Sequence, residues 1–341
     1  MAGSGVARLY SRLTVAEFDL IALIRDRCAI AREDVRLGIG DDAAVLAVPS
    51  GQLLAVSTDT LVAGVHFPQS TKAYDIGWKS LAVNLSDLAA MGATPAWATL
   101  ALTLPQADLR WVGEFADGFA ALAREFKLAL VGGDTTQGPL SITVTVHGFV
   151  PDGAALLRSG ARVGDAVFVT GTLGDAAAGL RCLNKNDGEM DRLQSTPPGS
   201  RETLIERLNR PTPRVAQGLA LRGRASACID ISDGLVADLS HLCSASAVGA
   251  EIDIESLPSS SALLNLFDVG ARRAFQVAGG DDYELCFTAA EADVLSLLGD
   301  LARGGCGATR IGRIVAEPGV HVCDGAGSPV VIPRSGWEHF A

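Results

Sequence analysis

The stretch LGIGDDAAVLAVPSGQLLAVSTDT, Leu37 to Thr60, governs the reading of this chain. Two apolar runs, Val45 to Val48 and Leu53 to Val56, flank the turn Pro49-Ser50-Gly51, a pattern that predicts a β-hairpin. The acids Asp41, Asp42 and Asp59 then fall at strand ends. Carboxylates gathered where strands stop, beside glycines that admit a close backbone, suit a hard oxygen-ligand cation such as Mg2+. Asp41 and Asp42 by themselves need be no more than turn residues. What gives them weight is recurrence.

Upstream, Phe18, Ile21 and Ile24 lie at helical spacing and predict a helix over 15–27. Downstream, Tyr74 to Met91 carries Trp78, Leu81, Leu85 and Leu88 as an apolar stripe, with Gly92 as a stop. Ser80, Asn84 and Asp87 share another face. A solvated face favours long charged side chains, so this one reads either as solvent-facing or as lining a site. Trp97 to Leu104 reads as a strand, and Phe115, Phe119, Leu122 and Phe126 as the buried stripe of a helix. The strand Leu128 to Val131 runs into a second acidic turn, Gly132-Gly133-Asp134. From Leu140, the residues Ile142, Val144 and Val146 alternate with Ser141, Thr143, Thr145 and His147, the mark of a sheet with one face on a core.

Pro151-Asp152-Gly153 marks the end of a first domain, giving 1–151 and 152–341. A strand over Ala166 to Thr170 leads through Gly171-Thr172-Leu173-Gly174 to a helix over 175–183. Such a loop can cradle phosphate, but this one lacks the Walker lysine and the spacing of a dinucleotide fingerprint. The polar segment Asn184 to Thr203 reads as a mobile loop. Cys228 to Ile231 reads as a strand bearing Asp230, followed by Ser232-Asp233-Gly234 and a helix over Leu235 to Ser246. Glu251 to Ile254 reads as a further strand, and Gly279-Gly280-Asp281-Asp282 precedes another that ends at Phe287.

The bulk numbers bound the answer. A chain of 341 residues is long enough for two domains, and 48% hydrophobic with 20% charged residues is an ordinary globular profile. A net charge of −11 argues against nucleic acid or an anionic membrane surface as a partner. Seven cysteines without a C-x-x-C pair fit reduced thiols in the cytoplasm. The five histidines form no H-x-x-x-H or H-x-H pair, so zinc is disfavoured. No secretory signal is evident, and no run reaches the roughly 20 apolar residues of a membrane span.

The acids matter as a set. Asp42, Asp59, Asp87 and Asp134 in the first half, with Asp230 and Asp233 in the second, would repel one another in a shared pocket unless cations intervened. Mg2+ takes few protein carboxylates and completes its shell with water and phosphate oxygens. An acidic site for several such ions therefore points to nucleotide chemistry.

The segments GIGDDAAV (38–45), STDTLVAGVHF (57–67), GWKSLAVNLSDLAAMGATP (77–95), GGDTTQG (132–138), RSGA (158–161), DISDGL (230–235) and GGDDYEL (279–285) resemble the thiamine-monophosphate kinase family. That family belongs to the superfamily of aminoimidazole ribonucleotide synthetase and selenophosphate synthetase. The resemblance covers nearly the whole chain in order. It implies a two-domain α/β (α+β) fold, with an N-terminal mixed sheet and helices that bind ATP and Mg2+ and dimerise, and a C-terminal α/β domain that completes the cleft. It implies a cytoplasmic homodimer that transfers the ATP γ-phosphoryl group to thiamine monophosphate.

Carried over by motif, Asp42, Ser57, Thr58, Asp59, Asp87, Asp134, Asp230 and Asp233 resemble the ligands of several Mg2+ ions. Gly133, Asp134, Arg158 and Ser232 resemble the ATP contacts, and His66, Asp281 and Trp337 the contacts to thiamine phosphate. Asp59, Asp87, Asp134 and Arg158 are the residues this resemblance places at the reacting groups. Each has a plainer reading: His66 as a structural hydrogen-bonder, Trp337 as a core anchor, Arg158 as the partner of a surplus carboxylate, and Asp281 as interchangeable with Asp282. A selenophosphate synthetase should carry a reactive cysteine in a glycine-rich N-terminal loop, and a hydrogenase-maturation relative a cysteine-bearing tail. Cys28 sits at a helix end and the chain closes Glu338-His339-Phe340-Ala341, so both fit poorly. A non-enzymatic cation or nucleotide sensor is the rival from another class.

Overall fold

The Ser-Thr-Asp segment continues a strand rather than ending one. In the computed structural model, which describes residues 16–184, 198–303, 305–332 and 336–337, β1 (Val35–Leu37) and β2 (Val45–Leu46) form a small antiparallel pair. β3 (Gln52–Val62) runs unbroken through Ser57, Thr58 and Asp59. Its partner is β6 (Ser141–Pro151), matched residue for residue from Gln52 opposite Pro151 to Val62 opposite Ser141. The predicted hairpin between the runs at 45–48 and 53–56 is therefore not formed. A two-residue strand offers little ladder, whereas β6 offers equal length, the same period and cross-strand threonine pairs. Thr58 and Thr145 hydroxyls meet at 2.9 Å, and Thr60 and Thr143 at 2.8 Å.

β4 (Thr94–Leu104) and β5 (Ala129–Gln137) complete a four-stranded mixed sheet in the order β3-β6-β4-β5, with β4 and β5 parallel. Asp134 thus lies inside β5, opposite Ala101, and not at a strand end as the glycines predicted. The expected alternation of β6 holds: Ile142, Val144 and Val146 are fully buried.

Three helices follow the predicted periods: α1 (Glu17–Arg27), α2 (Ala73–Ala90) and α3 (Leu109–Glu125). Asp108 caps α3 by accepting the N–H groups of Arg110 and Trp111, and Phe115, Phe119 and Leu122 are buried. α2 and α3 touch backbone to backbone. A Cβ on Gly77 would stand 2.0 Å from the Phe115 carbonyl oxygen, and one on Gly118 would stand 1.9 Å from that of Tyr74.

The C-terminal domain holds β7 (Ala166–Thr170), β8 (Ala227–Asp230), β9 (Gly249–Asp253), β10 (Leu285–Ala289), β11 (Ala308–Val315) and β12 (Gly319–Cys323). Their order is β12-β9-β11-β7-β10-β8, with β12 and β9 parallel and the other neighbours antiparallel. Around it lie α4 (Asp175–Leu183), α5 (Ser200–Asn209), α6 (Val215–Leu221) and α7 (Leu235–Ser246), among other helices.

The predicted loop over 184–203 is corrected at its end. Residues 185–197 lie outside the described residues, but Ser200 to Thr203 form the first turn of α5, because Leu204 and Leu208, one turn apart, are both buried. α2 packs on α3 and β6 and also reaches β8 and α6, so one apolar core includes Leu81 and Leu85 with Phe168 and Phe287 of the C-terminal sheet. The cysteines are all free thiols. Among the described residues no helix is long and apolar enough to cross a membrane.

Candidate active site

β3 faces α2 with alternate residues, so Ser57 and Asp59 point toward that helix while Thr58 and Thr60 point away. The Ser57 hydroxyl donates to Asp87 Oδ2 at 2.5 Å. Asn84 Oδ1 accepts the Asp59 backbone N–H at 3.1 Å and its amide donates to the Ser80 carbonyl at 3.0 Å. Asn84, fully buried, thus fastens the helix to the strand, while Ser80, 1% exposed, bonds within its own helix through the Gly77 carbonyl, and neither solvates a surface. Asp87, one turn on, opens into a cavity.

That cavity, about 460 Å³, lies where the two sheets approach each other. Asp59 and Asp87 enter it from the N-terminal side, Asp230 and Asp233 from the C-terminal side. Burial pushes Asp59 up to about 7, with the Asp87 charge adding to the effect. Burial likewise raises Asp87, against the Ser57 hydrogen bond and the Arg158 charge, which lower it. Asp230 is pushed up to about 8 by burial and then by Asp87, although Ser86 donates to its Oδ2 at 2.7 Å. Carboxylates pressed together this way are short of positive charge. Among the described residues, no three His, Cys, Asp or Glu side chains form a metal site by themselves. A paired carboxylate with a neighbouring hydroxyl nevertheless suits Mg2+, which fills the rest of its shell with water and phosphate oxygen.

Two loops form the opposite wall. Asp238 Oδ2 accepts the N–H groups of Ser232, Asp233 and Gly234 at 3.0, 3.0 and 3.1 Å, which shapes the segment after Asp230. The Asp281 and Tyr283 N–H groups donate to the Ser232 and Ile231 carbonyls, both at 2.8 Å, so the two acidic loops are zipped together. His66 Nδ1 accepts the Val62 N–H at 2.9 Å; a neutral imidazole then carries its proton on Nε2. Ala176, Ala177, Leu180 and Leu208 add an apolar flank, and Trp337, half-exposed, closes the rim with its backbone N–H donating to the Asp233 carbonyl at 3.0 Å. The cavity wall thus combines carboxylates with aromatic and aliphatic side chains.

Residues 40–150 match the family model for AIR synthase related protein, N-terminal domain, and residues 162–324 match the model for the C-terminal domain. The thiamine-monophosphate kinase of Salmonella typhimurium is 49% identical over 333 residues, covering 96% of this chain and 99% of that protein. The chain belongs to the thiamine-monophosphate kinase family. A crystal structure of the thiamine-monophosphate kinase from Stenotrophomonas maltophilia K279a is 51% identical, with a TM-score of 0.83, covering 93% of this chain and 98% of that one. A structure described as AaThiL complexed with AMPPCP and TMP is 33% identical, with a TM-score of 0.74, covering 95% and 97% of the two chains.

In this thiamine-monophosphate kinase relative, the cavity gathers Thr58, Asp59, His66, Asp87, Asp230, Ser232, Asp233, Asp281 and Trp337 of the residues expected from sequence. Thr58 joins the wall with its hydroxyl already on Thr145. Asp42 is exposed and outside the cavity. Gly133 and Asp134 border a separate recess of about 60 Å³ beside α1. Arg158 is exposed, though its charge reaches Asp87.

The GGDD motif divides its labour: Asp281 faces the cavity, while Asp282 accepts the Gly174 N–H at 2.6 Å and the Ala176 N–H at 3.3 Å. That answers the glycine loop at 171–174. Its helix-end amides are already taken by the buried Asp282 carboxyl group, so it is no phosphate cradle. Sequence reasoning missed Lys79, Tyr283 and the flank of α4 and α5. A lysine next to the apolar stripe of α2 was the only signal for the first; small and aliphatic residues gave none.

Proposed function

We infer that this chain phosphorylates thiamine monophosphate, taking the γ-phosphoryl group of ATP and releasing thiamine diphosphate and ADP. The observation that carries the reading is one cavity that brings Asp59, Asp87, Asp230 and Asp233 together with His66, Asp281, Trp337 and an aliphatic flank. It stands in a chain whose relatives are thiamine-monophosphate kinases, one of them described in complex with AMPPCP and TMP.

The acceptor is already a phosphate oxyanion, so no residue need create a nucleophile. Its oxygen bonds to the γ-phosphorus as the bond to the β-bridging oxygen breaks, with the electron pair leaving on ADP. The protein's part is to hold two polyanions in line and offset their repulsion. Asp59, Asp87, Asp230 and Asp233, with Ser57 and the chain at Thr58, would hold Mg2+, which when bound supplies the positive charge the carboxylate pair lacks. By resemblance, Gly133, Asp134, Arg158 and Ser232 are assigned to the nucleotide and Asp42 and Asp134 to Mg2+; of these, Ser232 lines the cavity. Trp337 offers a face to a cationic ring.

We place the active enzyme in the cytoplasm, where its free thiols stay reduced. We further propose a homodimer. β3 is a sheet edge, and Leu53, Leu54 and Val56 on it are 50%, 42% and 56% exposed, an apolar edge that a second copy would cover. Incubation with ATP, Mg2+ and thiamine monophosphate, read by mass spectrometry, should yield thiamine diphosphate. ADP without it would overturn the assignment.

A further inference from the structure

Lys79 lies midway along α2 with 2% of its surface exposed, where an ammonium without partners is costly. Its Nζ reaches Asp281 Oδ1 at 3.1 Å and the His66 carbonyl oxygen at 3.3 Å. Both partners belong to residues that line the cavity, and they come from different domains. The Asp281 side chain is 31% exposed against 3% for Lys79, so the pair buries its cation and offers its carboxylate to the cavity.

The loop that carries Asp281 is over-determined. Asp281 and Tyr283 hold left-handed backbone, φ +69° and +50°, which residues other than glycine avoid unless their surroundings enforce it. Hydrogen bonds to Ser232 and Ile231 fix the two residues, and the Tyr283 hydroxyl donates to Asp281 Oδ1 at 3.2 Å. A loop built this way aims one carboxylate in one direction. Lys79 is the counter-charge from the facing domain.

We propose that Lys79 is a positioning residue for the acceptor substrate. Without touching that substrate, its buried ammonium sets the Asp281 carboxylate and the His66 main chain on the wall where the cationic ring is held. This rests on thiamine monophosphate being the acceptor. Of the residues assigned to ATP, Gly133, Asp134 and Arg158 make no bond to Lys79 or Asp281 among the described residues, and Ser232 meets Asp281 only through its main-chain carbonyl, so the effect falls on the acceptor.

The test compares wild type with K79M, D281N and the double variant, reading KM for each substrate, kcat and the melting temperature. K79M and D281N should each raise KM for thiamine monophosphate by about tenfold, as loss of a charge-assisted hydrogen bond does, and leave KM for ATP within about twofold. The double variant should be no worse than the worse single one. If K79M does not fold, K79Q, which keeps a donor without the charge, is read by the same criteria. An unchanged acceptor KM, an equal rise for both substrates, a lower melting temperature alone, or independent multiplication in the double variant would overturn the proposal. Wild type that forms no thiamine diphosphate would instead sink the functional reading beneath it.

Discussion

The Ser86 hydroxyl donates to Asp230 Oδ2 at 2.7 Å, so a helix of the N-terminal domain holds a carboxylate of the C-terminal domain inside the cavity. Ser86 and Asp230 are 1% and 5% exposed, and water replaces that bond poorly. Ser86→Ala should cost about 1–3 kcal/mol of stability or metal affinity. The measurement is the Mg2+ dependence of the rate: the variant should need more Mg2+ to reach half-maximal velocity, and an unchanged curve would show that the bond is idle.

Asp59 and Asp87 line the cavity together, and the Asp87 charge adds to burial in raising Asp59. Replacing Asp59 by Asn removes charge from the pair without removing volume. Turnover should fall at least about 100-fold while the circular dichroism spectrum stays native. A loss of less than tenfold would mean that Asp59 does not serve the reacting phosphates.

Trp337 stands at the rim with 49% of its surface exposed. A contact with a cationic ring would be worth about 1 kcal/mol, so Trp337→Ala should raise KM for thiamine monophosphate roughly fivefold. Fluorescence titration of the wild-type protein with the same ligand should report the contact directly. Absence of both effects would return Trp337 to a structural role.

Asp282 is buried at 1% exposure, and burial pushes its carboxyl up to about 8, against the Gly174 N–H bond and the Arg207 charge. In the unfolded chain it titrates near about 3.9. Between those values the folded state binds a proton that the unfolded state lacks, so its contribution is full below about pH 4 and lost as pH rises through about 8. Asp282→Asn cannot ionise and keeps an acceptor for Gly174. Melting curves at pH 5 and pH 8 should show the variant gaining on wild type with rising pH; a constant difference would contradict the shift.

Val56, half-exposed on the edge strand β3, should tolerate Glu in an isolated monomer but not under a partner. Val56→Glu is expected to convert the dimer to a monomer in light scattering. Wild type that is already monomeric would end the dimer proposal.

Elements with a clean period were legible in the sequence. α2 and α3 were found from residues such as Leu81, Leu85, Phe115 and Phe119, and β6 from the alternation of Ile142, Val144 and Val146. Strand limits were less so. Asp59 and Asp134 were placed at strand ends because Gly, Ser, Thr and Asp are turn-formers, yet both lie inside strands, where partner strands supply the ladder. The polar stripe of α2 could be read as solvent-facing or site-lining. Packing buried Ser80 within the helix, made Asn84 the fastener to β3 and left Asp87 for the site.

By itself the sequence determined the periodic helices and strands and, through its motif segments, the family, since both are written in local spacing. Tertiary structure alone decided that β3 pairs with β6 rather than β2, that Asp281 and not Asp282 faces the cavity, and that Lys79 belongs to the site. Those choices depend on which distant segments compete for one ladder, one helix end or one buried charge, and no local spacing encodes that contest.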